Sequence, residues 1–490
     1  MYQDSSIQEI NFALTQAMEA FHHYKNVTRE VKASFLMAIA DEMEALGEIL
    51  VTTASRETHL PEGRIVGERG RTTGQLRMFS DLLMEGSWVE ARVDTALPDR
   101  LPLPKPDIRK MLVPLGPVVV FGASNFPLAY STAGGDTASA LAAGCPVIVK
   151  GHPAHAETSQ LVADCIFRAL KKNNLPKGVF HHIHGKSFEV GQALVKHPYT
   201  KAVGFTGSFA GGKILFDLAN QREEPIPVFS EMGSTNPVFI FPEALKKRKE
   251  KIADLYAQSI TLGVGQFCTN PGLLLGQVGG EMDELIQLLG EKMKAVQPGT
   301  MLHEGIAENY SAKKKLATSQ EGVIEITGGE GTKGMQAVPA LAKTSLETFV
   351  KNPILKEEVF GPYSLVIQGQ DMEGLEKALD SLPGQLTTTL MVEEEELPRY
   401  KDFINRLREK SGRLIFNSVP TGVEVCPSMQ HGGPFPATTD SRFSSVGPDA
   451  IKRWVRPLAF QNCPASNLPE ELQDGNPLKI WRMVNGHLEK

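Results

Sequence analysis

Val118-Val119-Val120-Phe121-Gly122 decides the fold. It is a short, wholly apolar, β-branched run that stops at a glycine, as a strand buried on both faces does. A helix-compatible segment follows over about 132–143, then a second strand-like run, Pro146-Val147-Ile148-Val149-Lys150. The alternation continues with a helix over 156–171 and a strand, Val179-Phe180-His181-His182-Ile183-His184, that meets Gly185. A helix around 188–195 precedes a fourth strand, Ala202-Val203-Gly204-Phe205, which ends in Thr206-Gly207-Ser208. Strands alternating with helices predict a parallel, doubly wound sheet. Ligands of such sheets bind beyond the carboxyl ends of the strands, so the residues just after each strand matter most.

Outward from this core, residues 7–90 read as mostly helical, with Val31, Phe35, Leu36, Ile39, Met43 and Leu46 at helical spacing. The stretch 61–71 reads as a lead-in to a helix over 72–84. Residues 91–113 are rich in proline and extended, as in Leu101-Pro102-Leu103-Pro104-Lys105-Pro106. They predict a projecting arm. A second α/β region spans about 231–453, with strands at 237–241, 273–278, 364–367, 388–392 and 413–416 and helices at 244–261, 281–296 and 397–410.

At 490 residues the chain exceeds one core, since single cores stop growing at roughly 250–300 residues. The net charge of −6 offers no electrostatic case for nucleic acid or an anionic membrane. No run of about 18 apolar residues occurs, so no membrane span is expected. Five cysteines without a C-x-x-C pair make no disulfide framework. With no secretory signal at the start, a reducing cytoplasm is the expected compartment.

Chemistry concentrates in Gly263-Val264-Gly265-Gln266-Phe267-Cys268-Thr269-Asn270-Pro271-Gly272. A glycine flank lets backbone approach a ligand, and a thiol there can attack an electrophile as its thiolate. Taken alone, Cys268 could equally be a small buried hydrophobe. Glu231 upstream offers a carboxylate base. Asn125, after the first strand, could donate to an oxyanion or simply serve a turn. Lys150, at the end of the second strand, could bond ribose or phosphate or stand solvated. Thr206-Gly207-Ser208-Phe209-Ala210-Gly211 opens a helix, a place that favours phosphate, or it is an ordinary strand-to-helix turn. His181, His182 and His184 are not read as a metal site, because alternation sends neighbours to opposite faces and no carboxylate or cysteine lies close in sequence.

Together these pieces resemble the aldehyde dehydrogenase superfamily. The matching features run in the family's order: Ser124-Asn125-Phe126-Pro127, Lys150, Phe205-Thr206-Gly207-Ser208 with Gly211, Glu231-Met232-Gly233, Gly265-Gln266-Phe267-Cys268, Glu357-Glu358-Val359-Phe360-Gly361-Pro362 and Phe416-Asn417. Leu103-Pro104-Lys105-Pro106-Asp107, residues 121–137 and residues 265–272 look like the 2,5-dioxopentanoate (α-ketoglutarate semialdehyde) dehydrogenase branch. The resemblance implies a Rossmann-type parallel-sheet cofactor domain (1–96 and 114–230), an α/β catalytic domain (231–455), and an oligomerisation arm with a C-terminal segment (97–113 and 456–490). It implies that Cys268 is the nucleophile, that Asn125 and the Cys268 N–H bind the oxyanion, and that Glu231 activates water. Lys150 and Glu358 would hold the two riboses, Phe360 would pack at the nicotinamide ribose, and Gly207, Ser208 and Gly211 would lie by the pyrophosphate. It also implies a homodimer or homotetramer.

Two departures bear on specificity. The family's Glu-Leu-Gly-Gly-Lys reads here as Glu231-Met232-Gly233-Ser234-Thr235-Asn236, as looks typical of this branch. The position three after Lys150, often glutamate where NAD is preferred, is Pro153. Losing that carboxylate removes repulsion against a 2′-phosphate, which favours NADP, or at least tolerance of it beside NAD, with Lys186 as a candidate phosphate partner. On the substrate side, the resemblance implies that the helix start after 61–71 lies near the substrate tunnel, where Arg71 could bind the distal carboxylate of a semialdehyde acid, since its fork takes two oxygens at once, or stand solvated or salt-bridged. Phe126 is expected beside it. The alternatives are a broad-specificity or fatty aldehyde dehydrogenase, acyl transfer to coenzyme A, against which Glu231 argues, and a non-catalytic paralogue.

Overall fold

A computed structural model describes residues 2–329 and 334–490. The apolar run that opens the alternation is the central strand, Val118–Phe121, of a five-stranded parallel sheet. Beside it lie Val147–Lys150 and then Phe180–Ile183 on one side, and Ala202–Thr206 and then Val228–Glu231 on the other. Its alternate residues face opposite ways. Val118 and Val120 join a core with the helices Arg29–Ala45, Glu62–Glu85 and Ala156–Lys172, while Val119 and Phe121 join a core with Ile7–Tyr24 and Phe188–Lys196. Helices on both faces explain why the run is apolar throughout. The chain leaves the first strand towards one edge and later returns to start the other half beside it. That reversal places a crevice at the ends of Val118–Phe121 and Ala202–Thr206.

The fifth strand, Val228–Glu231, was absent from the four-strand sequence reading. Pro225 and Pro227 disguise it, since proline reads as a strand breaker. The stretch 61–71 is no lead-in either: one helix runs unbroken over Glu62–Glu85. Gly63, Gly67, Gly70 and Gly74 weaken its helical signal, but Ile65, Glu68, Thr72, Leu76, Phe79 and Leu83 are buried along one side and hold it. The next helix begins at Gly135 instead of 132.

The second sheet has seven strands, in the order Val323–Thr327, Ala340–Ser345, Tyr363–Gly369, Leu273–Gln277, Val238–Ile240, Gln385–Met391, Ser411–Phe416. All pair in parallel except the first, which is antiparallel. The first two strands are additions to the sequence reading. Ala340–Ser345 carries alanine and lysine, weak strand formers, and becomes a strand because it is almost wholly buried.

A third sheet joins the chain's distant parts. Val455–Gln461 and Arg92–Asp94 flank Ile108–Pro114 as antiparallel neighbours, and Arg482–Val484 and His487–Glu489 extend it. Next to it, Arg453 makes a buried ion pair with Asp136 at 2.7 Å, and Trp454 Nε1 donates to Ser139 Oγ at 2.8 Å. These contacts pin the helix Gly135–Ala143 of the first sheet. Among the described residues no helix is long and apolar enough to cross a membrane.

Candidate active site

The helix Pro242–Thr261 ends in a single tight turn, Leu262–Gly265, that delivers the chain to Cys268. Gly263, Val264 and Gly265 all take positive φ, at 54°, 59° and 65°. For β-branched Val264 this costs on the order of 1–3 kcal/mol. At Gly265 a side chain would run into the backbone of Gly361 and Pro362. Asn236 clamps the loop, its Nδ2 donating to Cys268 O and Asn270 O, each at 2.9 Å. Gln385 Oε1 fixes Asn236 in turn, accepting from the N–H groups of Thr235 (3.0 Å) and Asn236 (3.1 Å). The sequence had marked Asn236 only as a departure from a motif. A buried amide at positive φ, bonding two carbonyls of the cysteine loop, shows its role is to hold that loop.

Glu231 ends the last strand of the first sheet, so the two sheets meet at the thiol. The ligand-type atoms of Glu231, Cys268 and His431 lie within 4.8 Å of one another, the only such group among the described residues. His431 Nε2 is 2.9 Å from Glu231 Oε1, off the line of a good hydrogen bond, and 3.6 Å from Cys268 Sγ. Ser445 Oγ donates to Glu231 Oε2 at 2.7 Å. Burial pushes the Glu231 carboxyl up, but the His431 ring beside it and the Ser445 and Cys268 donors outweigh this and hold it below the usual range. Burial, and then the Glu231 charge, push the Cys268 thiol well above its ordinary value. Sequence reading missed His431 and Ser445. Both follow the last strand of the second sheet, in a loop with no motif, and only folding brings them to Glu231.

Asn125 Nδ2 donates to Gln266 O at 3.1 Å, which puts the amide against the cysteine loop. The Phe126 ring meets Phe267 edge-on at 5.7 Å and Tyr130 at 5.3 Å. Arg64 lies over Phe126 and Phe267, 4.9 and 4.8 Å from their centroids, and donates to Asn125 O at 2.8 Å. Arg71 donates to the Tyr130 hydroxyl at 3.3 Å, and its Nε is buried without a partner. Its charge reaches Cys268, as does that of Arg413, whose Nε is also buried and unpartnered. Arg413 had been read only as part of a strand.

On the other side, Lys150 is partly buried at its strand end, and desolvation pushes its ammonium down to about 8. Gly207 and Gly211 cradle the Phe205 ring, and a Cβ on either would come within 2.7 or 2.9 Å of it. Ser208 caps the helix Phe209–Asn220, its hydroxyl accepting from Gly211 N–H at 3.2 Å. Glu358 and Phe360 line a cleft with Ser234, Thr235 and Phe267. Burial raises the Glu358 carboxyl to about 7. The helix start at Ser208 offers backbone donors of the kind phosphates need, and Lys150 and Glu358 are groups that could bond ribose hydroxyls. The Lys186 side chain is exposed, and its backbone N–H is taken by Asp4.

A doubly wound sheet whose strand ends meet a thiol and a buried carboxylate has the parts of a covalent oxidoreductase. Residues 1–442 match the aldehyde dehydrogenase family, and the chain belongs to it. That family uses NAD or NADP. The chain is 47% identical over 482 residues to alpha-ketoglutaric semialdehyde dehydrogenase 2 of Azospirillum brasilense, covering 98% of this chain and 92% of that protein. It is 46% identical over 490 residues to alpha-ketoglutaric semialdehyde dehydrogenase of Acinetobacter baylyi, covering 100% and 93%. Its fold matches the glyceraldehyde-3-phosphate dehydrogenase GapN of Methanocaldococcus jannaschii complexed with NADP, with a TM-score of 0.79, 19% identity, and coverage of 94% and 95%. It also matches betaine aldehyde dehydrogenase of Staphylococcus aureus in complex with NAD, with a TM-score of 0.79, 20% identity, and coverage of 94% and 90%.

Proposed function

We propose that this protein oxidises 2,5-dioxopentanoate to 2-oxoglutarate. One observation carries the reading: Glu231 and His431 lie against Cys268, and the charges of Arg71 and Arg413 both act on its thiol. An aldehyde with a distal carboxylate needs that set. The high identity to two alpha-ketoglutaric semialdehyde dehydrogenases supports the same substrate.

The Cys268 thiolate adds to the aldehyde carbon and forms a thiohemiacetal. Asn125 Nδ2, released from Gln266 O, and the Cys268 N–H stabilise the oxyanion. Lys150, Glu358, Phe360 and the turn at Gly207, Ser208 and Gly211 would hold a dinucleotide, which would supply the acceptor for the hydride leaving this carbon. Glu231 takes a proton from water, which attacks the resulting thioester; the C–S bond breaks and the thiolate returns. Aldehyde, water and oxidised cofactor thus give acid, reduced cofactor and a proton. The five-stranded sheet carries the cofactor and the second region the nucleophile. Leu101 and Leu103, exposed at 89% and 69% in the loop that joins Arg92–Asp94 to Ile108–Pro114, supply a face for a homodimer or homotetramer. Five free cysteines fit a cytoplasmic enzyme.

Initial rates with dioxopentanoate and hexanal, each with NAD and NADP, test the reading. A kcat/KM for hexanal equal to that for dioxopentanoate sinks it in favour of a broad or fatty aldehyde enzyme. Arg71→Ala should raise KM for dioxopentanoate about 10–100-fold, the worth of a charged hydrogen bond, and leave KM for hexanal alone. An unchanged KM for dioxopentanoate removes Arg71 from substrate binding. His431→Asn should lower kcat and move its acid limb to higher pH, because the ring holds Glu231 ionised. A lower kcat with an unmoved limb would mean that His431 only fills space.

A further inference from the structure

The segment before the first helix folds over the end of the strand Phe180–Ile183. Ser5 N–H donates to His184 O at 2.9 Å, and the Ser5 hydroxyl accepts from His184 N–H at 3.3 Å. The Tyr2 ring stacks on His184, 4.1 Å between centroids at 13°. Between these anchors Asp4 Oδ1 accepts from Lys186 N–H at 2.6 Å and Oδ2 from Ser187 N–H at 3.1 Å. Those amides open the helix Phe188–Lys196. Lys150 ends the adjacent strand, in register with Ile183, and its charge is felt at Asp4. The carboxylate therefore sits past the end of the third strand, within electrostatic reach of Lys150, in the corner where Lys150 and Lys186 would meet the adenosine ribose.

We infer that Asp4 is a specificity-determining residue of the dinucleotide site, one that disfavours a 2′-phosphate and restores the discrimination lost at Pro153. The inference rests on the cofactor reading above. A 2′-phosphate needs hydrogen-bond donors and positive charge. Asp4 already takes the two amides at the helix start, and its charge offsets Lys150. The Ser187 hydroxyl, with the amides of Lys186 and Ser187, holds the Asp4 carboxyl below the usual range, so it is ionised at neutral pH. The surroundings do not reverse the balance. Glu57 accepts from the N–H groups of Glu157 and Thr158, Arg56 is paired with Glu157, and Asp164 accepts from Gln160. The His184 ring is bonded to Gln160 Oε1 at 2.9 Å. Asp4 is thus the carboxylate whose charge acts on Lys150.

Calorimetry on the full chain tests this with two fragments, ADP and 2′,5′-ADP, which differ by the 2′-phosphate. The wild type should bind ADP the more tightly. Asp4→Asn, which keeps an acceptor for the amides, should shift the ratio of affinities about tenfold or more towards 2′,5′-ADP, since like charges face to face are costly. Asp4→Ala should do the same. The wild-type preference should narrow as salt rises, because the carboxylate is exposed. A wild type that favours 2′,5′-ADP, or a ratio that neither variant moves, overturns the inference and leaves the dehydrogenase reading standing. If neither fragment binds, the cofactor reading fails and this inference fails with it.

Discussion

Cys268→Ala is expected to abolish aldehyde-dependent formation of reduced dinucleotide, with a loss on the order of 10⁴-fold or more in kcat, as for other enzymes stripped of their nucleophile. Without the thiol no thiohemiacetal forms, and the aldehyde offers no hydride at an activated carbon. Cys268→Ser should fare little better, because a hydroxyl is far less ionised at neutral pH. Neither change should disturb the fold. The side chain is only partly buried, and the loop is held through backbone carbonyls by Asn236. Binding of reduced cofactor and thermal unfolding should match the wild type. Either variant turning over at more than a hundredth of the wild-type rate would place the nucleophile elsewhere. The pH dependence has a definite sign. The thiol sits above its ordinary value, first through burial and then through Glu231. Its thiolate fraction therefore grows as pH rises, and kcat/KM should climb from neutral into alkaline conditions.

Glu231→Gln should separate the two halves of the reaction. Steady-state turnover falls about 10²–10⁴-fold, the range for loss of a general base. A single burst of reduced dinucleotide, about one per site, survives, because the hydride leaves before the base is needed. The thioester then accumulates and can be trapped by hydroxylamine. The same variant tests the electrostatics of the site. Glu231 raises the Cys268 thiol, so removing its charge should move alkylation by iodoacetamide to lower pH. In the wild type the carboxyl is held below its usual range, so the base form persists as pH falls through the ordinary carboxylate range. Absence of any burst in Glu231→Gln would show that this carboxylate acts before hydride loss, as the base for Cys268.

The two halves of the molecule were not equally legible. Val118–Phe121 and residues 147–149 announced themselves because helices cover both faces and their residues are all apolar. Val228–Glu231 did not, because prolines precede it and only its neighbour Ala202–Thr206 makes it a strand. The helix Glu62–Glu85 was cut short in sequence because four glycines weaken local propensity, while burial of one side is a tertiary effect.

The site divides along the same line. Cys268, Glu231, Asn125 and Lys150 could be named from sequence because each sits in a local pattern, a strand end or glycine-rich turn, that its chemistry requires. The placing of His431 and Ser445 against Glu231, of Arg413 towards Cys268, and of Asp4 beside Lys150 had no local pattern to betray it. Those residues lie far along the chain from the groups they act on. Their identities are ordinary, and their effect depends on distance and burial, which arise only when two sheets and the first few residues converge. Sequence alone thus determined the class of fold and the reacting groups, because those demand particular residues at particular positions. Only the tertiary structure decided how the Cys268 thiol and the Glu231 carboxyl are tuned, because electrostatic coupling depends on separation in space and not along the chain.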